Sequence, residues 1–553
     1  MYKSNDFPES FQFCKRRSEP SKQKPLFFWI CLSILCVFYK NIPLYLDPYG
    51  KIVYTQSKNT KSEAMDMYLT QFYPTPRSYM ENDGSYSFGA RVIMRLSFTP
   101  SAIVLARLTD LWHRFTCGCS TLTFVHEIGI GFSAQIGDTA AKTDPPADSP
   151  TGDTYRIDVV PTGVTLRGGS EKALLDGFML LLQCIEPRCL TEGAESFVIP
   201  AMVVEDGPQV AFRAIHLCVF PESERHTLEK AIHLAGFLHL THVVLEFWGT
   251  YPYRALSSLH WHGGKWSRGD AEALVRLARG YGMEVIPMIN HFGHAASARS
   301  CYGRHVVLDA DLRQSLLFEP DGWTWCSSNP DTYRLLSEMR AEMAELCGDG
   351  SYFHLGFDEA YSFATCPACR RRVPHELLAE YANRLTEELA ASGRRPILWH
   401  DMFLRHDDFK NEIGTGDYLV ANGAHRDTAS ALPLLDRRIL LADWQYGYFS
   451  GKNPTMPYLR SLGFDVLLSP WDDLRNIRSL AANARDTEGV GVLLTTWHHL
   501  PAYLQKLFFA AEYLWQNKPI SDQITERACL LRRLYDAEGD YRRAGWNAFE
   551  VEG

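Results

Sequence analysis

From about residue 207 onwards, short apolar runs alternate with longer segments of helical spacing. Each run suits one buried strand, and the helical segments between them include 271–281, which Ser267 and Asp270 open with an S-x-x-D pattern. Eight β–α units in about 300 residues favour a closed (β/α)8 TIM barrel. An open doubly wound sheet usually has a glycine-rich phosphate loop after its first strand, and none is present here. The eight predicted strands are 212–219, 242–248, 283–290, 352–359, 396–402, 438–446, 464–471 and 491–497.

Residues 65–206 predict a small α/β domain ahead of the barrel, because strand-like alternation and helical spacing are mixed there. Residues 138–153 are rich in Asp, Pro and Thr, which is typical of an exposed loop. The barrel is predicted over 207–520 and a helical tail over 521–553. The predicted strands and helices of the small domain are 86–96, 100–115, 121–125, 155–159, 163–166 and 173–185.

The first 64 residues fit neither pattern. Basic residues such as Lys15 and Arg16 precede an apolar run over 26–39, which is shorter than the ~20 residues of a membrane-spanning helix. This order is typical of a signal peptide or anchor, and an imperfect continuation would allow membrane association through residues 26–46. Alternatively, residues 1–64 are not part of the folded protein. The protein is expected to be cytoplasmic if it starts near Met65, and otherwise exported or anchored.

Composition argues against several classes of function. The chain carries a net charge of −9 over 553 residues without a basic stripe, so nucleic acid is not an expected partner. Fourteen cysteines are too few for a disulfide scaffold. Cys366 and Cys369 form a C-x-x-C pair, which is either a metal knuckle or a reduced buried pair. Since no well-spaced second pair is visible, we predict no metal and no cofactor, with this pair as the open point.

The predicted fourth strand of the barrel ends in adjacent carboxylates, Asp358 and Glu359. Active sites of such barrels lie at the carboxyl ends of the strands. Adjacent acids raise each other's pKa and are costly unless they serve in chemistry, but the pair alone also fits an acidic helix N-terminus, and the rest of the chain has to decide. Aromatic faces stack on sugar rings, so tryptophans around a carboxylate pair predict a carbohydrate substrate. The other strand ends carry Trp248, Trp399, Trp444, Trp471 and Trp497.

These residues resemble the family 20 glycoside hydrolases, the β-N-acetylhexosaminidases. The most specific similarity is to the catalytic motif of that family, which is matched by His354-x-Gly-x-Asp358-Glu359. Residues 68–206 are similar to the small N-terminal domain of the family. Further similarities to motifs at the barrel entry and on strands three, five, six and eight are Phe212-Arg213, Val285-Ile286-Pro287 with Gly293-His294, Trp399 with Asp401, Trp444 with Tyr446, and Thr496-Trp497.

The resemblance implies a retaining, substrate-assisted glycosidase that removes terminal GlcNAc or GalNAc from glycans. The substrate's 2-acetamido oxygen then attacks the anomeric carbon. Glu359 acts as general acid and then base, Asp358 orients the acetamido N–H, and Tyr446 binds its oxygen. We expect a raised pKa for Glu359, because a neighbouring carboxylate and an aromatic wall disfavour its charge. The residues expected to bind the sugar are Arg213, His294, Trp399, Asp401, Trp444 and Trp497.

Three positions depart from the family pattern, namely Asn290, Cys218 and His499. The family often has Asp at the first two and Glu at the third, so hydroxyl recognition is expected to be altered. Two other functions stay open: a carbohydrate-binding barrel without catalysis, and a metal-dependent barrel hydrolase. The sequence makes no prediction of oligomeric state. The histidines and acid considered for the metal enzyme are His291, His294, His354, Asp401, His498 and His499.

Overall fold

The computed structural model describes residues 44–46, 52–54, 72–127, 131–137, 150–190, 194–257, 266–295, 312–449, 451 and 453–515. The chain divides into two compact units, Met1–Met65 and Asp66–Gly553. The smaller unit contains two paired antiparallel strands, β1 (Leu44–Leu46) and β2 (Ile52–Tyr54). No helix in the described ranges is long and apolar enough to cross a membrane. The apolar run over 26–39 and the tail over 521–553 lie outside the described residues.

The larger unit begins with a sheet of eight strands in the order β3-β10-β7-β8-β6-β4-β5, with β9 paired to β10. The predicted strand over 86–96 is two strands, because the chain turns at Gly89 and Ala90. The sequence pattern also missed β6, β9 and β10. The strands are β3 (Ser78–Phe88), β4 (Arg91–Leu96), β5 (Thr121–His126), β6 (Phe132–Gly137), β7 (Tyr155–Val160), β8 (Gly163–Gly168), β9 (Glu186–Leu190) and β10 (Ala194–Asp206).

Two helices pack against this sheet, α1 (Ala102–Phe115) and α2 (Glu171–Gln183). A serine caps each of them, since Ser101 accepts from the third amide of its helix and Ser170 does the same. Helix α2 is buried along nearly its whole length. It therefore forms a layer of the core and covers strands β7 and β8.

Eight parallel strands form a closed barrel in chain order, with β18 paired to β11. The predicted (β/α)8 fold is confirmed. The fourth strand ends at His354, five residues earlier than predicted from its apolar run over 352–359. The strands are β11 (Arg213–Val219), β12 (His242–Phe247), β13 (Glu284–Met288), β14 (Tyr352–His354), β15 (Arg395–Trp399), β16 (Leu440–Asp443), β17 (Asp465–Leu468) and β18 (Gly491–Thr495).

Helices surround the barrel and bury their apolar sides against the strands. The predicted S-x-x-D start of α4 is a capping box, in which Ser267 and Asp270 exchange side-chain and backbone hydrogen bonds. Between β15 and β16 short 3₁₀ turns take the place of an α-helix. The helices are α3 (Arg225–Phe237), α4 (Arg268–Gly280), α5 (Pro330–Cys347), α6 (Pro374–Ala391), α7 (Thr455–Ser461), α8 (Leu474–Arg485) and α9 (Leu500–Trp515).

Candidate active site

The loop that carries the carboxylate pair leaves β14 with an unusual backbone. Phe357 and Glu359 have positive φ angles of 86° and 48°. Non-glycine residues rarely adopt such angles, and they cluster at functional sites. A side chain at Gly293 would place its Cβ 1.9 Å from the Asp358 carbonyl oxygen, and one at Gly356 would lie 2.2 Å from Asn290 Oδ1. Glycine at both positions therefore lets the loops after β13 and β14 meet.

A single histidine nitrogen links the two carboxylates. His294 Nε2 lies 3.1 Å from Asp358 Oδ2 and 3.3 Å from Glu359 Oε2. Asp358 is almost completely buried, at 4% exposure, whereas the Glu359 side chain is 35% exposed. The second oxygen of Asp358, Oδ1, has no hydrogen-bond partner among the described residues. The pair is thus asymmetric. Asp358 is buried and has one free acceptor atom, whereas Glu359 lies at the partly exposed rim of the site.

Charge in this cluster is distributed differently from the sequence-based expectation. Burial by itself would lower the pKa of His294, but its contacts with Asp358 and Glu359 raise that pKa to about 10. The hydrogen bond from His294 lowers the pKa of Glu359, against the smaller effect of burial. Burial raises the pKa of Asp358. The predicted raised pKa of Glu359 is therefore wrong for the ligand-free protein, because the cationic partner was not foreseen.

Asp401 contacts the backbone of the loop that carries Asp358 and Glu359, here called the catalytic loop, and is fully buried. Its Oδ2 accepts hydrogen bonds from the Glu359 amide at 3.1 Å and from Asn422 Nδ2 at 2.8 Å. Trp444 Nε1 donates to its Oδ1 at 3.3 Å. Burial, followed by the charge of Asp358, raises the pKa of Asp401 to about 7. In this structure Asp401 positions Glu359 and Trp444, and its expected contact with the sugar stays a prediction.

Aromatic side chains cluster at the carboxyl ends of strands β15 to β18. Trp497 Nε1 donates to the Tyr446 hydroxyl at 2.8 Å, and the Tyr446 ring lies 5.0 Å from Trp444 and 5.3 Å from Trp471. Trp399 is 0% exposed and packs beneath Trp497, 6.0 Å away between ring centroids. Trp399 is therefore the buried member of this cluster, whereas Trp444, Tyr446 and Trp497 are only half-buried.

The predicted sugar ligand Arg213 lies at the wrong end of the barrel. It is the first residue of β11, so its side chain is near the amino ends of the strands and is fully buried. Its guanidinium donates to the carbonyl oxygens of His239 and Val210 at 2.9 and 2.7 Å, and lies over the Trp515 ring. Arg213 therefore links backbone segments at the amino end of the barrel, and its assignment to substrate binding is wrong.

Two aromatic residues that no sequence pattern indicated, Trp323 and Tyr361, contact Glu359. Trp323 Nε1 donates to the Glu359 carbonyl oxygen at 3.1 Å, and its ring centroid lies 4.4 Å from that of His294. Tyr361 donates its hydroxyl to Glu359 Oε1 at 3.3 Å. Tyr361 could have been found from its place two residues after Glu359. Trp323 lies in an irregular segment between β13 and α5, where no periodic pattern marks it.

Two of the departures from the family pattern contact the same buried carboxylate. Glu246 accepts from Asn290 Nδ2 at 2.5 Å and lies 3.4 Å from Cys218 Sγ and 2.9 Å from His216 Nε2. Burial by itself would raise the pKa of Glu246. The contact with His216 outweighs this effect and keeps that pKa below its usual value. Asn290 and Cys218 are thus neutral partners of an anion at positions where a second acid would be repelled.

The third departure, His499, is at the rim. Its Nδ1 lies 2.8 Å from Asp472 Oδ2, and its ring stacks on Trp471 at 5.0 Å. The imidazole and the carboxylate at this rim are therefore paired with each other beside an aromatic face.

Of the residues considered for a metal-dependent hydrolase, His294 and Asp401 lie at the carboxylate pair, whereas His291 and His354 have other partners. His291 is buried and lies 2.8 Å from Arg340, and His354 lies beneath Trp399. Two groups of metal-ligating side chains occur within the described ranges, and neither contains Asp358 or Glu359. One is His216, Cys218 and Glu246; the other is Glu319, Cys326, Cys366 and Cys369.

Comparisons with known proteins agree with this arrangement. Residues 242–498 match the glycosyl hydrolase family 20 catalytic domain. A β-hexosaminidase of Porphyromonas gingivalis is 22% identical over 268 residues, which are 43% of this chain and 34% of that protein. A β-hexosaminidase of Akkermansia muciniphila is also 22% identical, over 45% of this chain and 55% of that protein. The chain thus spans between a third and just over half of these relatives.

Solved structures share the fold. The β-N-acetylhexosaminidase of Bacteroides fragilis has a TM-score of 0.58 at 16% identity, covering 86% of this chain and 96% of that one. The family 20 β-N-acetylhexosaminidase of Streptomyces coelicolor has a TM-score of 0.56 at 18% identity, with coverage of 86% and 97%. At this identity they are evidence of fold alone, and the family match rests on residues 242–498. The barrel of this chain is therefore similar to glycosyl hydrolase family 20 in sequence over residues 242–498 and in fold over most of the chain.

Proposed function

We propose that the protein is a β-N-acetylhexosaminidase that removes terminal GlcNAc or GalNAc from glycans by a retaining, substrate-assisted mechanism. The observation that carries the proposal is the asymmetric carboxylate pair, in which Asp358 is buried with Oδ1 unpartnered and Glu359 stands at the rim. The family that the barrel resembles and the activities named for the relatives above support the same class of substrate.

Asp358 has the properties that acetamido participation requires. Its Oδ1 is an acceptor without a partner in the described part of the chain, so it can take the N–H of a 2-acetamido group. Its negative charge would then stabilise the positive charge that develops on that nitrogen as the acetamido oxygen attacks. Holding the acetamido group against the anomeric carbon makes the step intramolecular, which can supply about 7–11 kcal/mol of the barrier.

Tyr446 fits the role of a donor to the acetamido oxygen. Trp497 donates to the Tyr446 oxygen at 2.8 Å, so the hydroxyl proton of Tyr446 can point to another acceptor. Burial raises the pKa of Tyr446, and the charge of Asp358 adds to this effect. The hydroxyl thus stays protonated and can orient the attacking oxygen.

Glu359 would protonate the leaving group, and His294 would hold the proton until it is needed. In the free protein the imidazole is protonated and the pKa of Glu359 is low. A bound sugar excludes water from Glu359, which disfavours its charged form. The proton can then move from His294 Nε2 to Glu359 Oε2 across 3.3 Å. After glycosidic cleavage the same carboxylate would accept a proton from the incoming water.

Substrate preference provides the direct test. We expect the purified protein to hydrolyse chromogenic β-N-acetylglucosaminide or β-N-acetylgalactosaminide at least about 10³-fold faster than the matching 2-hydroxy β-glycoside, because only the former carries an internal nucleophile. NMR should show the β-anomer as the first product. Inversion, or equal rates on both sugar types, contradicts the mechanism. Sugar binding without turnover indicates the non-catalytic barrel instead.

The role of His294 predicts a shift in pH dependence. In the free protein His294 holds the proton that Glu359 later donates, so the alkaline limb of kcat/KM should report loss of this proton, near the His294 pKa of about 10. In His294→Gln the carboxyl group of Glu359 alone must hold that proton, and its pKa lies well below that of His294, so the alkaline limb should move to lower pH. The maximal rate should fall by about 10–100-fold, because the proton donor is lost.

A histidine with a different partner is the control for this shift. His499→Gln removes a histidine that pairs with Asp472 and does not touch Glu359. The alkaline limb of His499→Gln should lie at the same pH as that of the wild-type protein. An alkaline limb that stays in place, or moves to higher pH, in His294→Gln means that His294 does not hold the catalytic proton.

A further inference from the structure

Three thiols and a carboxylate lie together below the loop that follows Glu359. Cys326 Sγ is 3.5 Å from Cys366 Sγ and 3.6 Å from Cys369 Sγ. One oxygen of Glu319 joins them, and the four ligand atoms all lie within 4.8 Å of one another. All four residues are buried. None of them has a part in the proposed reaction.

The sulfur separations suit a shared metal ion better than a covalent link. Two thiolates on a tetrahedral zinc, at about 2.3 Å from the metal, lie about 3.8 Å apart. A disulfide needs about 2.05 Å between sulfurs. The C-x-x-C spacing of Cys366 and Cys369 is that of a zinc knuckle. Cys326 supplies the third sulfur from a segment 40 residues earlier, which explains why no second pair was visible in the sequence.

The surroundings of the cluster also favour a cation. The Cys369 amide donates to Cys366 Sγ at 3.3 Å, and Ser328 Oγ lies 3.1 Å from Cys369 Sγ, so both sulfurs have polar neighbours suited to a thiolate. Glu319 accepts from the backbone amides of residues 364–366. Within the described ranges no Lys, Arg or His lies within ion-pair distance of this buried carboxylate, which is costly without a positive charge nearby.

We propose that Cys326, Cys366, Cys369 and Glu319 bind one zinc ion with tetrahedral geometry. Zinc suits a thiolate-rich, closed site of four protein ligands. Such a site contributes to folding and has no open position for a substrate. It shares no residue with the histidines and Asp401 of the metal-dependent hydrolase alternative.

The ion would fasten the two segments that contact Glu359 from either side. One is 319–326, which carries Trp323 and its hydrogen bond to the Glu359 carbonyl oxygen. The other is 360–369, which directly follows Glu359 in the chain. Zinc would therefore hold the catalytic loop in position. This consequence rests on the proposed function, whereas the metal site itself does not.

Metal content tests the site without reference to activity. The full chain, produced with zinc and purified under reducing conditions without a metal-affinity tag, should contain about one zinc per chain by plasma mass spectrometry. Cobalt exchanged into the protein should give the visible absorption bands of a tetrahedral thiolate complex. An organomercurial that blocks thiols should release the zinc to a colorimetric indicator, and this measurement needs no variant.

Variants identify the ligands. Cys366→Ser and Cys369→Ser should lose zinc, and Glu319→Gln should bind it more weakly. Cys347→Ser is the matched control, because Cys347 is equally buried but lies outside the cluster, and it should retain the zinc. The proposal is overturned if reduced, zinc-supplied wild-type protein contains less than about a tenth of an equivalent, or if peptide mass spectrometry finds a Cys366–Cys369 disulfide in its place. Unchanged affinity in Glu319→Gln removes Glu319 as the fourth ligand.

Activity separates this proposal from the catalytic one. Zinc-stripped protein should have a lower melting temperature and a reduced kcat, both restored by added zinc. Zinc at full occupancy in a protein that hydrolyses no acetamido sugar would overturn the proposed function and leave the metal site standing. If metal-free protein hydrolyses the substrate at the full rate and melts at an unchanged temperature, the metal site would be overturned and the proposed function would stand.

Discussion

Replacing Glu359 with glutamine is expected to slow the hydrolysis of an unactivated N-acetylhexosaminide by about 10²–10⁴-fold, the usual worth of a general acid. Glutamine keeps the shape and the hydrogen bond from Tyr361. It cannot donate a proton to the glycosidic oxygen as an acid, nor accept one from water. Both halves of the reaction should therefore be impaired.

Leaving-group dependence distinguishes this role from a structural one. A dinitrophenyl leaving group needs little protonation, so its release should be much less affected than that of a natural glycan. Azide, which needs no general base, should restore turnover and yield the β-glycosyl azide. Tyr361→Phe removes a hydrogen bond to Glu359 but leaves the acid, and should cost only a few-fold. Equal losses on both leaving groups, with no rescue by azide, would exclude Glu359 as the acid–base residue.

The barrel was predictable because its signal is repeated and local. Eight apolar runs with helices between them specify parallel strands, and each strand end then identifies candidate side chains. Asp358, Glu359, Tyr446, Trp444 and Trp497 were placed at the carboxyl ends by this argument, and the structure has them there. The order of strands along the chain was enough for this, since neighbours in sequence are neighbours in the barrel.

The wrong predictions concern residues whose role depends on their position along a strand or on a partner far away in the sequence. Arg213 belongs to a correctly predicted strand, but it starts that strand and so faces the opposite end of the barrel. Glu359 has a lowered pKa because the loop after β13 brings His294 to it. Cys326 joins Cys366 only through the fold. Pattern and spacing carry little information on such contacts, which depend on how irregular segments cross.

The change from Asp358 to asparagine removes one charge from the most buried part of the site. We expect kcat/KM for N-acetyl substrates to fall by about 10²–10³-fold, comparable to the loss of one group that stabilises charge in a transition state. Most of the loss should be in kcat, because the charge on the acetamido nitrogen exists only after attack has begun. A thiazoline analogue of the cyclic intermediate, whose ring nitrogen can carry the same positive charge, should lose affinity in parallel.

Two comparisons give this prediction its specificity. Any residual hydrolysis of a 2-hydroxy glycoside should change far less, since that sugar has no acetamido group for Asp358 to hold. Asp436→Asn, which removes a carboxylate that pairs with Arg438 just before β16 begins, should leave both rates unchanged. His294 loses one of its two ion pairs in Asp358→Asn, so its pKa should fall from about 10, and the pH profile should change as well as the rate. Unaltered turnover of N-acetyl substrates in this variant would mean that the acetamido group is not oriented by Asp358, and the substrate-assisted mechanism would have to be abandoned for this protein.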